Sequence, residues 1–149
     1  MTIKEKLVED MKLAMKAGES GKVRLSVIRM ARAAIRNAEI DSRREFGDEE
    51  VIEVLAKEIR QRRDAAEEYR RLGKPEAADA LEEEIRVLQE YMPAPLSEEE
   101  LTELVQQAIR EAGAASKGDL GKVMKLLMPK VKGRADGKAV RDKVSSLLP

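Results

Sequence analysis

The stretch that decides the fold is residues 49–75, EEVIEVLAKEIRQRRDAAEEYRRLGKP. Val51, Leu55, Ile59, Ala66 and Tyr69 recur three or four positions apart, with charged residues between them. That spacing places one apolar stripe on a helix and leaves the opposite face polar. Arg62 is the one polar interruption of the stripe. Gly47-Asp48 punctuates the chain ahead of it, so Asp48 is the expected N-cap of a helix covering about 49–72. Gly73-Lys74-Pro75 ends that helix and starts the next, because proline suits a first helical turn, where no N–H is needed.

Working outward, the same grammar repeats. Thr2 and Glu5 form a capping-box pattern for a first helix that Gly18 closes. A second helix should begin near 20–22 and run to about Arg44. After Pro75, Leu81, Ile85, Leu88 and Met92 mark the buried face of a fourth. Residues 91–97, YMPAPLS, hold two prolines within three positions and cannot continue a helix. Ser97 and Glu100 then form a second capping box, and Gly113 ends the fifth helix. Asp119, with Ser116, should cap a sixth that runs to about Leu127 and stops at Pro129 and Gly133. Asp136 should cap a seventh over about 137–148. The expected fold is all-α: a bundle of about four helices over 1–92, a proline hinge at 93–97, and a small three-helix domain over 98–149.

Composition agrees with helices and narrows the chemistry. Charged residues make up 39% of the 149 positions and aromatics only 2%, a mixture typical of long helices rather than sheets. The chain has no cysteine and no histidine. That removes thiolate nucleophiles, thiolate metal sites and the usual proton shuttle near neutral pH. No catalytic constellation, metal-ligand cluster or nucleotide-binding loop stands out, so no cofactor or metal is expected. Glu58–Arg62 and Glu67–Arg71 read as i, i+4 pairs on an exposed helix rather than as acid–base machinery. The charged N-terminus does not read as a secretory signal, and no apolar run approaches membrane-spanning length, so a cytoplasmic protein is expected.

The net charge is zero, but its distribution is not even. From Ala114 onward nine basic residues face three acidic ones, and the preceding helices carry the balancing acidity. Lys122, Lys125, Lys130, Lys132, Arg134, Lys138 and Arg141 are the candidate phosphate contacts. Lys130–Lys138, PKVKGRADGK with the proline before it, also offers backbone N–H groups around two glycines, a geometry that suits an anion. Read as a charge run alone, the tail is more simply a solvated face. A second basic stripe, Arg29, Arg32 and Arg36, occupies one helical face. Its expected partners are glutamates of a neighbouring helix; anion binding is the alternative. Few aromatics argue against base stacking, so any RNA would be held by its backbone.

Residues 121–140, GKVMKLLMPKVKGRADGKAV, resemble the C-terminal domain shared by the GatB/YqeY family. Gly121, Val123, Met124, Lys125, Lys132, Gly133, Arg134 and Ala135 stand where that family has its glycine, its V-M-K and its K-G-(K/R)-A. Asp136-Gly137 replaces the Asn-Pro common in the amidotransferase B subunit and looks like the free-standing YqeY branch. RLSVIRMARAAIRNAEID (24–41), IRQRRDAAEEYRRLG (59–73) and LQEYMPAPLSEEEL (88–101) resemble YqeY proteins as well. The resemblance implies an all-helical, two-domain protein. It also implies that the tail holds tRNA or another structured RNA, as the matching domain does in the tRNA-dependent amidotransferase. An accessory protein linked to that enzyme or to an aminoacyl-tRNA synthetase is the leading expectation. A module docking on either enzyme by protein contacts is the alternative. A glutamine-dependent carbon–nitrogen ligase activity follows from the family label alone, since the catalytic core is absent here.

Overall fold

A computed structural model describes residues 1–149, all of them outside strands. Seven α-helices follow one another: α1 (Ile3–Lys16), α2 (Lys22–Ser42), α3 (Asp48–Arg71), α4 (Pro75–Gln89), α5 (Glu98–Ala112), α6 (Leu120–Val131) and α7 (Gly137–Leu147). Single 3-10 turns at Gly18–Gly21 and Lys117–Asp119 precede α2 and α6. The chain divides into two compact units, Met1–Met92 and Pro93–Pro149.

The first unit holds α1–α4 around Leu7, Val27, Ile28, Ile35, Val51, Leu55, Ile59, Ile85 and Leu88. The expected stripe of α3 is buried through Val51, Leu55, Ile59 and Ala66. Tyr69 departs from it and is 38% exposed near the end of α3, where Ala66 is the last buried residue of the stripe. Tyr91 closes the other end of α4: its hydroxyl donates to Asp10 Oδ2 of α1 at 2.5 Å. Burial and that carboxylate push the phenol well above its ordinary value, so it stays a donor at all working pH.

Asp48 is not the cap of α3. Gly47 holds that position, with the Glu50 carboxylate reaching back to its N–H at 3.5 Å. Asp48 Oδ1 instead accepts from the Ile3 N–H at 3.0 Å. It thereby satisfies one of the orphan donors at the start of α1 and ties two helix N-termini together. Sequence spacing could not show this, because the two partners are distant in the chain.

Arg62 corrects a second expectation. The i, i+4 pair with Glu58 exists at 3.1 Å, but the helix face is not exposed: Arg62 is the buried charged residue of the unit, at 6% accessibility. Its Nε reaches Glu84 of α4 at 3.0 Å, and its Nη1 also donates to the Glu58 carbonyl. The stripe is interrupted because this position clamps α3 to α4. The pair expected between Glu67 and Arg71 is replaced by Arg71–Glu68 at 3.3 Å. Arg62→Ala should cost about 2–3 kcal/mol, below the full value for breaking a buried pair, because Glu58 and Glu84 keep 18% and 29% of their side chains in water. A denaturant melt checks it; an unchanged midpoint would show the clamp to be inert.

The second unit packs α5, α6 and α7 around Leu101, Val105, Val123, Leu127, Val131, Val140 and Val144. The Ser97 box forms as read: Ser97 Oγ accepts from the Glu100 N–H, and Glu100 Oε1 from the Ser97 N–H, both at 3.1 Å. Gly113 takes the left-handed conformation that ends α5. Pro129 does not stop α6, which continues to Val131. The hydrogen bond it forfeits would have reached the Lys125 carbonyl on the exposed side, where water can replace it, while buried Val131 keeps the last turn on the core.

Candidate nucleic-acid interface

On α6, Val123, Leu127 and Val131 face the core, so helical spacing fixes where the lysines point. Lys130 lies on the flank toward α5, and its Nζ meets Glu111 at 3.6 Å. Lys122 and Lys125 lie on the outward face with Gly121, where a Cβ would meet nothing within 4 Å. Met128, on the flank opposite Lys130, reaches α7: its Cε lies 3.9 Å from where a Gly137 Cβ would sit. α7 buries Val140 and Val144 and sends Lys143 toward α5, where it pairs with Glu98 at 2.8 Å. Lys138 and Arg141 are exposed on its other side.

The cations of this unit are therefore sorted by direction. Those facing α5 meet its carboxylates. Lys125, Lys138 and Arg141, on the α6–α7 side, are exposed and meet none. Lys132 is exposed at the end of α6. Lys122 lies close enough to Asp119 to help hold that carboxyl below its ordinary range, although the Ala115 N–H is the larger cause. That same bond, to Asp119 Oδ2 at 2.9 Å, means Asp119 does not cap α6 with its side chain as expected. Asp136 stands at the N-cap position of α7, again without a side-chain capping bond.

Arg134 separates from the other candidates. It is half-buried, its Nε donates to the Ala94 carbonyl at 2.9 Å, and its own carbonyl accepts from the Leu96 N–H at 2.9 Å. Glu100 lies 3.8 Å from its Nη2. Residues 93–97 are thus pinned along the turn after α6, and Arg134 is a strap before it is a phosphate contact. The anion-binding loop expected at 130–138 is also reduced. The N–H groups of Arg134 and Ala135 both turn inward to the Val131 carbonyl, at 2.9 and 3.1 Å. Gly133, at φ 75°, supplies the left-handed residue that this turn needs. What remains for a ligand is a face of side chains.

In the first unit the glutamates expected beside Arg29, Arg32 and Arg36 are not there. None of the three forms an ion pair, although Arg36 adds its charge to the field on Glu39. Instead they line one side of a groove between α1 and α2. The sequence marked the arginines but not Lys4, which completes the groove from α1.

No helix of the chain is long and apolar enough to cross a membrane. The family model of YqeY-like proteins matches residues 4–148, and the chain belongs to that family. No curated protein matches it.

Proposed function

We propose that this member of the YqeY-like family is a non-catalytic accessory protein that binds tRNA or a similarly structured RNA. We place the contact on the α6–α7 face. The observation that supports this reading is the sorting of cations in the second unit. A merely soluble helical domain gains nothing by pairing the lysines on one side and leaving those on the other without carboxylates. A phosphate backbone supplies the missing counter-charge. Lys125, Lys138 and Arg141 carry the contact, Lys122 and Lys132 add positive charge to it, and Gly121 lets a backbone come close to α6. The linkage to a tRNA-dependent amidotransferase or aminoacyl-tRNA synthetase belongs to the same proposal.

The test is to isolate the chain from cells with and without nuclease, then titrate the pure protein with tRNA at low and moderate salt. RNA that co-purifies and binds less tightly as salt rises supports the reading; undetectable binding at low salt refutes it. The competing reading is a protein-docking module, favoured by large apolar side chains that the first unit leaves in solvent, Leu13 at 57%, Ile40 at 65% and Leu72 at 59%. A protein partner that survives nuclease, with no RNA bound, would favour that reading.

A further inference from the structure

The groove between α1 and α2 holds more positive charge than the fold uses. Arg29, Arg32 and Arg36 lie at i, i+3 and i+7 on α2, a span of about 10 Å along the helix. Lys4 faces them from α1, and the four cations line a half-open groove of ≈ 330 Å³ with Leu7, Val8, Ala33 and Ile35. The only carboxylate in it is Glu39. That group is already engaged, accepting from Lys4 Nζ at 2.6 Å and from the Phe46 N–H at 2.7 Å. These two bonds, Lys4 first, hold it below the ordinary carboxylate range and keep it charged.

Other arginines of this unit that pack against a neighbouring helix find acids there. Arg24 takes Glu90 at 2.7 Å, and Arg70 takes both Asp79 and Glu82, at 3.0 and 2.8 Å. Arg32 is half-buried and meets only the Met11 thioether, Nη1 to Sδ at 3.3 Å. Sulfur of this kind is a weak acceptor, and a guanidinium offers five donors. A partly desolvated cation without an anionic partner is unfavourable unless a ligand supplies one.

The geometry points to a binding site for a ligand with two or more adjacent phosphates, held in the α1–α2 groove by Arg29, Arg32 and Arg36 with Lys4 at one end. Successive arginines on α2 rise by about 4.5 and 6 Å, so one isolated oxyanion cannot reach all three, whereas linked phosphates can. Guanidinium forks suit phosphate oxygens in pairs. No aromatic ring lines the groove, so recognition rests on the phosphates and not on a stacked base. A phosphodiester backbone and a free oligophosphate share this chemistry. The site belongs to the first unit and the α6–α7 face to the second, and either can exist without the other.

Tripolyphosphate is the probe, followed through the backbone amide resonances of the full chain. Saturable shifts are expected at residues 4–8 and 29–36, with inorganic phosphate binding about tenfold more weakly. The Arg29→Gln/Arg36→Gln variant changes only exposed positions and should bind about tenfold more weakly, with its thermal melt unchanged. Adding Arg32→Gln should abolish the response. A short RNA duplex that shifts the same amides, reversed by tripolyphosphate, would assign the phosphates to RNA. A duplex that leaves them unmoved while tripolyphosphate binds would assign them to a free phosphorylated ligand. No saturable shift in this groove, or an equal one in the double variant, overturns the site.

Discussion

The triple variant Lys125→Ala/Lys138→Ala/Arg141→Ala is expected to lose most of its salt-sensitive RNA binding, while Lys130→Ala/Lys143→Ala keeps it. The two variants remove charge of the same sign from the same unit, so bulk electrostatics alone would weaken both. Geometry separates them. Lys130 and Lys143 are held by Glu111 and Glu98 of α5, whereas the three others face water on the α6–α7 side. Each phosphate contact contributes about 0.7–0.9 to the slope of log affinity against log salt. Losing three should flatten that slope by about 2–3. Between 50 and 200 mM salt, the wild-type affinity should then fall about 20–40-fold further than the variant's. All five side chains lie outside the core, so the folded state should be kept. Equal slopes for the triple variant and the wild type would sink the assignment of this face. Arg134→Ala is a poor substitute for this test, because it would also release the Ala94 carbonyl and loosen the strap on residues 93–97.

What the sequence made legible was local. Ser97 with Glu100, Gly113 after α5 and Pro75 at the start of α4 each act within four residues, and the helices they bound formed close to the expected limits. The misreadings share a different cause. Asp48 looked like a cap, but its partner is Ile3, at the far end of the bundle's first helix in sequence. Arg62 looked like half of a surface pair until Glu84 of α4 came beside it. Pro129 looked like a helix stop, yet core packing of Val131 outweighed one lost hydrogen bond. The same division applies to the basic residues. Counting found every lysine and arginine of the tail, but only packing against α5 could say which of them already had carboxylates. For Arg29, Arg32 and Arg36 the expected glutamates were reasonable on composition, since the unit is rich in them. Those acids went to Arg24, Arg62 and Arg70 instead.

Gly21→Ala is expected to be the most damaging conservative change in the first unit. A Cβ at this position would sit 2.2 Å from the Ala14 carbonyl oxygen and 2.9 Å from its carbon. Both are backbone atoms of the last turns of α1, so no rotamer change can make room. Ala14 is itself buried, and the 3-10 turn at 18–21 brings Gly21 directly beneath it. The helices must separate, and the core they share around Leu7 and Val27 must open with them. The cost should be about 3 kcal/mol, at the upper end for overpacking in a close contact. For a unit of this size that corresponds to a melting temperature lower by roughly 10–25 °C. Gly121→Ala is the control. It lies in α6 with open space around it, so alanine should leave stability unchanged or raise it by about 0.5–1 kcal/mol through helix propensity. Thermal circular dichroism of the two variants separates steric need from mere glycine content. A Gly21→Ala melt that overlays the wild type would mean that α1 and α2 do not approach as closely as this contact requires. The α1–α2 groove, with Lys4 placed opposite Arg32 and Arg36, depends on that approach, so the variant should also lose its response to tripolyphosphate below its melting point.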